Sequence, residues 1–269
     1  ELTYGGMGSE LEPITIAAAV PGEVIISGEV SIEMSGEYVV LQGFIFKDGQ
    51  LDNNVIQTRG NSNTPCHNCR ITENAIIDMG IGSEDSAKWL SIYGANNRID
   101  HNWFSGKTTR GALLIVDRYV ADGVEVDENF EVDRTLIDHN YFGDRPPAEG
   151  KAYAGSSDNE YEAIRIGTSD SHMGDSYSVI EHNYFERIQG EAEVISIKAS
   201  RNVIRNNCFL DNGASFIEIR NGHENLITGN RSGMMINSGL HVSGHRNIVA
   251  FNQFSGSNSP HSAMELHSQ

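Results

Sequence analysis

Apolar and polar positions alternate along this chain in short runs, and one run keeps returning. It reads Arg98-Ile99-Asp100-His101-Asn102-Trp103-Phe104, then Leu136-Ile137-Asp138-His139-Asn140-Tyr141-Phe142, then Val179-Ile180-Glu181-His182-Asn183-Tyr184-Phe185. Val203-Ile204-Arg205-Asn206-Asn207-Cys208-Phe209 continues it, weaker copies lie at 226–230 and 248–254, and Arg70-Ile71-Thr72-Glu73-Asn74 is an earlier relative. Alternation of period two predicts strands, and no stretch carries helical periodicity. From Asn183 the asparagine recurs after 24, 23 and 22 residues. That interval suits one coil of two or three short strands plus turns. Leucine-rich repeats have a similar period, but their leucine signature is absent. The predicted fold is therefore all-β, a right-handed parallel β-helix, with residues 1–269 forming one domain.

The physics of a solenoid explains the pattern. Ile, Val and Leu on the inward face stack from coil to coil and fill the bore. The aromatic after each Asn stacks on its neighbours. An Asn at one turn of every coil predicts a ladder of side-chain amides that satisfy turn backbone and one another. Earlier intervals of 28, 38 and 43 residues are longer. Those coils carry loops, expected within 105–135 and 143–175, and long loops on a repeat scaffold tend to line its binding face.

A further strand follows each asparagine turn, in Ala163-Ile164-Arg165-Ile166, Ser196-Ile197-Lys198, Glu218-Ile219-Arg220 and Leu240-His241-Val242. With the aliphatic residues inward, Arg165, Lys198, Arg220 and His241 face outward. Stacked strands lie about 4.8 Å apart, so these four are expected to form one basic column, which calls for an anionic partner.

Charge and composition narrow the classes. Lys and Arg number 19 against 37 Asp and Glu, a formal net charge of −18. Nucleic acid needs a basic surface, so it is excluded as a partner. An anionic polysaccharide is not excluded, because exposed charges are screened beyond roughly 8–10 Å and a local basic strip suffices. No apolar run approaches the roughly 18 residues of a membrane span, so no membrane partner is expected. The sequence opens at Glu1 without an initiator Met or signal peptide, as in a mature or trimmed chain. Three cysteines do not make a disulfide framework. Cys66 and Cys69 have the spacing of a zinc half-site without a second pair, so a local disulfide or two free thiols is expected. His101, His139 and His182, repeated at one turn position, read as stacking or turn residues, and Asp100, Asp138 and Glu181 beside them as turn groups.

The stretch Glu191-Ala192-Glu193-Val194-Ile195-Ser196-Ile197-Lys198-Ala199-Ser200, followed by Asn202-Val203-Ile204-Arg205-Asn206-Asn207, resembles the central motif of polysaccharide lyase family 6, which holds alginate lyases and chondroitinase B. Arg220-Asn221-Gly222-His223 is similar to the family's Arg-His-Gly-Asn segment, and 159–167 to its Asn-Gly-x-Glu-x-Ile-Arg-Ile-Gly. Pro13-Ile14-Thr15-Ile16, Pro21-Gly22-Glu23-Val24 and 36–44 are similar too, so the resemblance covers nearly all the chain.

The resemblance implies an activity and its residues. Asn159, Glu191 and Glu193 match calcium ligands, Lys198 the Brønsted base and Arg220 the Brønsted acid. Arg165, His223 and His241 are expected near the substrate. The implied reaction removes the C5 proton of a uronic acid and expels O4. Ca²⁺, a hard cation that takes oxygen ligands, would neutralise the uronate carboxylate. A general base must be neutral, and nearby positive charge favours the neutral amine. Arg220 is harder to accept as a literal acid, because a guanidinium does not readily release a proton, so it acts as acid or as charge stabiliser.

Alginate is the expected substrate and a secreted or periplasmic location the expected compartment. A glycosaminoglycan lyase acting on dermatan sulfate is the second reading, but sulfates call for extra basic groups that this acidic chain supplies sparingly. A non-catalytic polysaccharide-binding β-helix is the third. The segment that usually caps the helix at its N-terminal end has no match before Glu1. The open end is expected to be covered by another chain, a removed segment or a loop.

Overall fold

The computed structural model describes residues 2–51, 54–60, 63–80, 87–118, 132–148, 160–169, 174–212, 217–233, 239–255 and 264–266. Parts of both expected loops, and Asn159, lie outside them. Every strand pairing within the named strands is parallel, and no α-helix occurs among the described residues. Three sheets wrap one bore, as a right-handed parallel β-helix requires. Successive coils add strands to each sheet in turn, for example Arg98–Asp100 to the second, Trp103–Ser105 to the third and Leu114–Val116 to the first.

The bore follows from the alternation. Ile71, Ile99, Ile137, Ile180, Ile204 and Ile227 stack in register on the second sheet, all buried. On the third sheet Phe104, Phe142, Phe185 and Phe209 stack at 4.9, 5.0 and 4.7 Å between centroids. Ile166, Ile197, Ile219 and Val242 do the same on the first. Burying such side chains stabilises by about 1.5–3 kcal/mol each.

The corner between second and third sheets is a single residue in the left-handed region. Glu73, His101, His139, His182, Asn206 and Phe251 take it at φ of 55, 55, 55, 55, 55 and 57°. The Asn that follows secures the corner. Asn102 donates through Nδ2 to the carbonyls of Ile71 and Asp100, both at 2.9 Å. Its Oδ1 accepts the backbone N–H of Asn74 at 3.0 Å. The ladder runs from Asn74 through Asn102, Asn140, Asn183, Asn207 and Asn230 to Asn252. A second ladder, which the sequence pattern does not announce, links Asn202, Asn225 and Asn247 at the corner after the first sheet.

His101, His139 and His182 stack at 5.2 Å centroid spacing, as expected of turn residues. Asp100 and Asp138 are more than turn groups. Arg70 forks onto Asp100 at 2.7 and 2.5 Å, and Arg98 onto Asp138 at 2.9 and 2.7 Å, pinning successive coils. Cys66 and Cys69 form a disulfide, and Cys208 is a free, exposed thiol.

Candidate active site

The chemistry-bearing residues gather on the outer face of the first sheet, where Ile164–Ile166, Ile195–Lys198, Ile217–Asn221 and Leu240–Val242 lie side by side. The expected single basic column is corrected by the register. Arg165 pairs with Ser196, Ser196 with Glu218, Glu218 with His241, and His241 with Glu265. Lys198 belongs to the next outward row, opposite Asn221. A bulge falls here: Ile197 pairs with Ile219 and Lys198 with Asn221, so Arg220 is the unpaired extra residue. Displacement by two residues preserves the face of a strand. Alternation therefore identified the outward face and missed the row. Gly222, at φ 93°, closes the bulge; a Cβ there would sit 2.2 Å from the Ala199 carbonyl oxygen.

Two carboxylate-bearing segments enter these strands from neighbouring coils, 160–162 and 191–193. The Tyr161 N–H donates to Glu191 Oε1 at 2.6 Å. Glu162, Glu191 and Glu193 are 1%, 4% and 5% exposed, far drier than carboxylates normally are. Burial, then the facing Glu162, pushes Glu191 up to about 10. Burial also works against ionised Glu162, but the Arg165 charge and the hydrogen bond with Glu191 hold it below the ordinary value. One proton shared between the two carboxyls, resident on Glu191, is the sense of that pair. Burial, then Glu218, lifts Glu193 to about 7 against the pull of Arg220.

The cations are distributed unequally. Arg220 Nη1 reaches Glu193 Oε1 at 3.0 Å, and the side chain stays substantially exposed. Arg165, nearly buried, lies 3.3 Å from Glu162 and 3.6 Å from Glu160. Glu160 is shared with Arg110 at 3.0 Å. Lys198 is 7% exposed and takes part in none of the described ion pairs. His241 sits 3.6 Å from both Glu218 and Glu265. The Glu218 hydrogen bond raises its pKa above that of an ordinary imidazole. His223 lies beyond Gly222, in the turn to the next strand. Its backbone N–H donates to Ser200 Oγ, and its Nδ1 accepts the His245 N–H, both at 3.0 Å.

Glu191, Glu193, Lys198, Arg165 and Arg220 thus share one outer face, and Asn159 lies outside the described residues. Sequence reasoning passed over Glu162, Glu160, Glu218, Arg110 and Arg145. A signal for the first existed: Glu162-Ala163-Ile164 and Glu193-Val194-Ile195 share a Glu-x-Ile pattern, which stacks the two glutamates on successive coils.

The donor set can be tested against a hard cation. Glu162 Oε2 is buried and meets no N–H or O–H donor among the described residues. Burial and the facing Glu162 disfavour the ionised form of Glu191, and a bound positive charge would favour it. Crowded, desolvated carboxylate oxygens fit Ca²⁺. No three described His, Cys, Asp or Glu side chains form a ready metal cage by themselves, so a cation here would need ligands beyond them.

The sequence profile of the chondroitinase B family matches residues 1–265. Among solved structures, the PL6 family alginate lyase AlyGC is similar at 30% identity and a TM-score of 0.82, over 95% of this chain and 34% of that one. A mannuronic acid specific polysaccharide family 6 lyase from human gut microbiota is similar at 30% identity and a TM-score of 0.73, over 92% and 57%. The PL6 family polysaccharide lyase of Pseudopedobacter saltans is similar at 27% identity and a TM-score of 0.66, over 91% and 56%. The chain spans about a third of AlyGC. No curated protein sequence matches it.

Proposed function

This chain belongs to the chondroitinase B family, the polysaccharide lyase family 6 of its structural neighbours, and from that membership we propose that it is an alginate lyase acting by calcium-assisted β-elimination. One observation carries the reading. Lys198 stands outside the ion pairs that occupy Arg165 and Arg220, on the strand that leads out of the Glu191–Glu193 segment. A lysine locked to a carboxylate would be held as ammonium. Lys198, which no described carboxylate holds at ion-pair distance, is the general base that takes the C5 proton.

Each residue then has a task. Glu191 and Glu193, with Asn159, would hold Ca²⁺, and Glu162 lies against them. Bound there, Ca²⁺ would supply electrostatic neutralisation of the uronate carboxylate and so acidify the C5 proton. Lys198 takes that proton. Arg220, exposed at its bulge and braced by Glu193, stabilises the charge on the leaving O4. Arg165 and His241 flank this pair in the adjoining row, each held by carboxylates, as substrate-binding residues. His223 lies further along the same edge, as a substrate contact.

Alginate is favoured over a sulfated glycosaminoglycan by the outer row itself. His241 is bracketed by Glu218 and Glu265, which leaves little positive charge for sulfates. Secretion or periplasmic export accompanies a polymer substrate.

The test is the ultraviolet absorbance of new unsaturated ends on alginate and on dermatan sulfate, with and without a calcium chelator. Product on alginate, lost on chelation and restored by Ca²⁺, is expected. Product on dermatan sulfate alone would overturn the substrate, and product on neither would overturn the lyase reading.

A further inference from the structure

Arg145 is the last residue of the strand Tyr141–Arg145 and is fully buried. Its guanidinium faces no carboxylate at ion-pair distance among the described residues. It is caged instead by backbone carbonyls. Nη1 donates to the Glu162 oxygen at 3.0 Å. Nη2 donates to Gly111 at 2.9, Thr109 at 3.1 and Glu160 at 3.4 Å. The Tyr161 ring lies 5.3 Å away. Gly190 closes the cage, since a Cβ there would stand 3.0 Å from Arg145 Nε and 2.7 Å from Tyr161 Cβ.

Placing a charge in such a spot is costly, and an apolar side chain of similar volume normally fills a buried space at least as well. A guanidinium is useful where several acceptors must be held at fixed angles, because its donors form a rigid fork. Here the acceptors come from two successive coils. The 109–111 segment carries Arg110, and the 160–162 segment carries Glu160, Tyr161 and Glu162. Lys107, also fully buried, grips the first as well, donating to the Thr109 and Arg110 carbonyls at 3.0 and 2.8 Å. Arg110, Glu160, Glu162 and Arg165 then form a chain of ion pairs that spans both segments.

We propose that Arg145 is a positioning residue, which fixes the 109–111 and 160–162 segments against each other and so sets where Arg165 stands in the site. Its consequence for turnover rests on the lyase reading; its consequence for the two segments does not. Arg145 touches neither substrate nor reacting atoms. It acts through Glu160 and Glu162, the carboxylates that hold Arg165.

Arg145→Met and Arg145→Lys test this by amide hydrogen exchange and by steady-state kinetics on alginate oligosaccharides. In Arg145→Met, exchange across 109–116 and 160–166 should quicken at least about tenfold, with 195–198 and 217–221 unchanged. The KM should rise about tenfold, more than kcat falls. Arg145→Lys, which keeps the charge and loses the fork, should lie between. Uniform loosening of all coils, or none, would overturn the proposal, since a merely structural residue acts that way. Local loosening with an unchanged KM would sever its link to Arg165. Absence of product from the wild-type chain would count against the lyase reading, and exchange would still decide the positioning of the segments.

Discussion

Arg220 Nη1 donates to Glu193 Oε1 at 3.0 Å across the step between two adjacent coils. The contact exists because a bulge frees Arg220 from the ladder, and because Glu193 enters the preceding strand from the same side. It aims an exposed guanidinium. Arg220→Ala should therefore lower kcat on alginate by about 10²–10³, the usual loss for a donor aimed at developing negative charge. Arg220→Lys should recover only part of it, since an ammonium lacks the fork. Rates of unsaturated-end formation decide the matter.

Lys198→Ala should lower kcat by about 10²–10⁴ and leave the circular dichroism of the solenoid unchanged, because Lys198 points away from the bore. Lys198→Arg should be equally inactive, since a guanidinium cannot become a neutral base. Retained activity in either variant would remove Lys198 from the mechanism.

Calcium and pH should be coupled through Glu191. Its pKa is raised from 4.5 to about 10, chiefly by burial. The native metal-free chain thus holds a proton that the unfolded chain has released. That stabilisation is complete below the unfolded value and fades as pH climbs through the folded one. Metal-free protein should lose stability steadily across this window. Ca²⁺ needs the ionised carboxylate, so its affinity should rise with pH and its binding should release a proton. Thermal unfolding against pH, with and without Ca²⁺, checks both signs.

Acid should act elsewhere, on the second sheet. Burial works to raise Asp100, but hydrogen bonds from Arg70 and His101 outweigh it and hold the carboxyl below its ordinary 3.8. A depressed carboxylate contributes stability above its unfolded pKa and loses it as pH falls through the folded one. Unfolding midpoints should drop below about pH 4, and Asp100→Asn should flatten that part of the profile while lowering stability at neutral pH.

Interior rungs of the asparagine ladder should matter more than its end. Asn140 donates to the carbonyls of Ile99 and Asp138 at 2.8 and 3.1 Å and accepts the Asn102 N–H at 2.9 Å. Asn140→Ala strands these buried groups at about 1–3 kcal/mol each, so a loss of roughly 3 kcal/mol or more is expected. Asn252, on the last rung and partly exposed, should lose less on the same change. Denaturant midpoints of the two variants give the comparison.

Periodicity made the solenoid legible. Ile99, Ile137 and Ile180 had to share a face, Phe104, Phe142 and Phe185 had to stack, and the recurring Asn had to meet its copies, since each requirement is local and repeats every coil. The outward face of Arg165, Lys198, Arg220 and His241 was legible for the same reason. Their rows were not, because alternation is blind to a displacement of two and to a bulge. Only pairing between coils put Arg165 beside Ser196 and left Arg220 free to reach Glu193. The burial that sets Glu191 and Glu162 against each other, and the carbonyl cage around Arg145, join segments from different coils through loops of unequal length. Linear sequence fixes what repeats within a coil; the unequal loops between coils leave the meeting of these side chains to the packed structure.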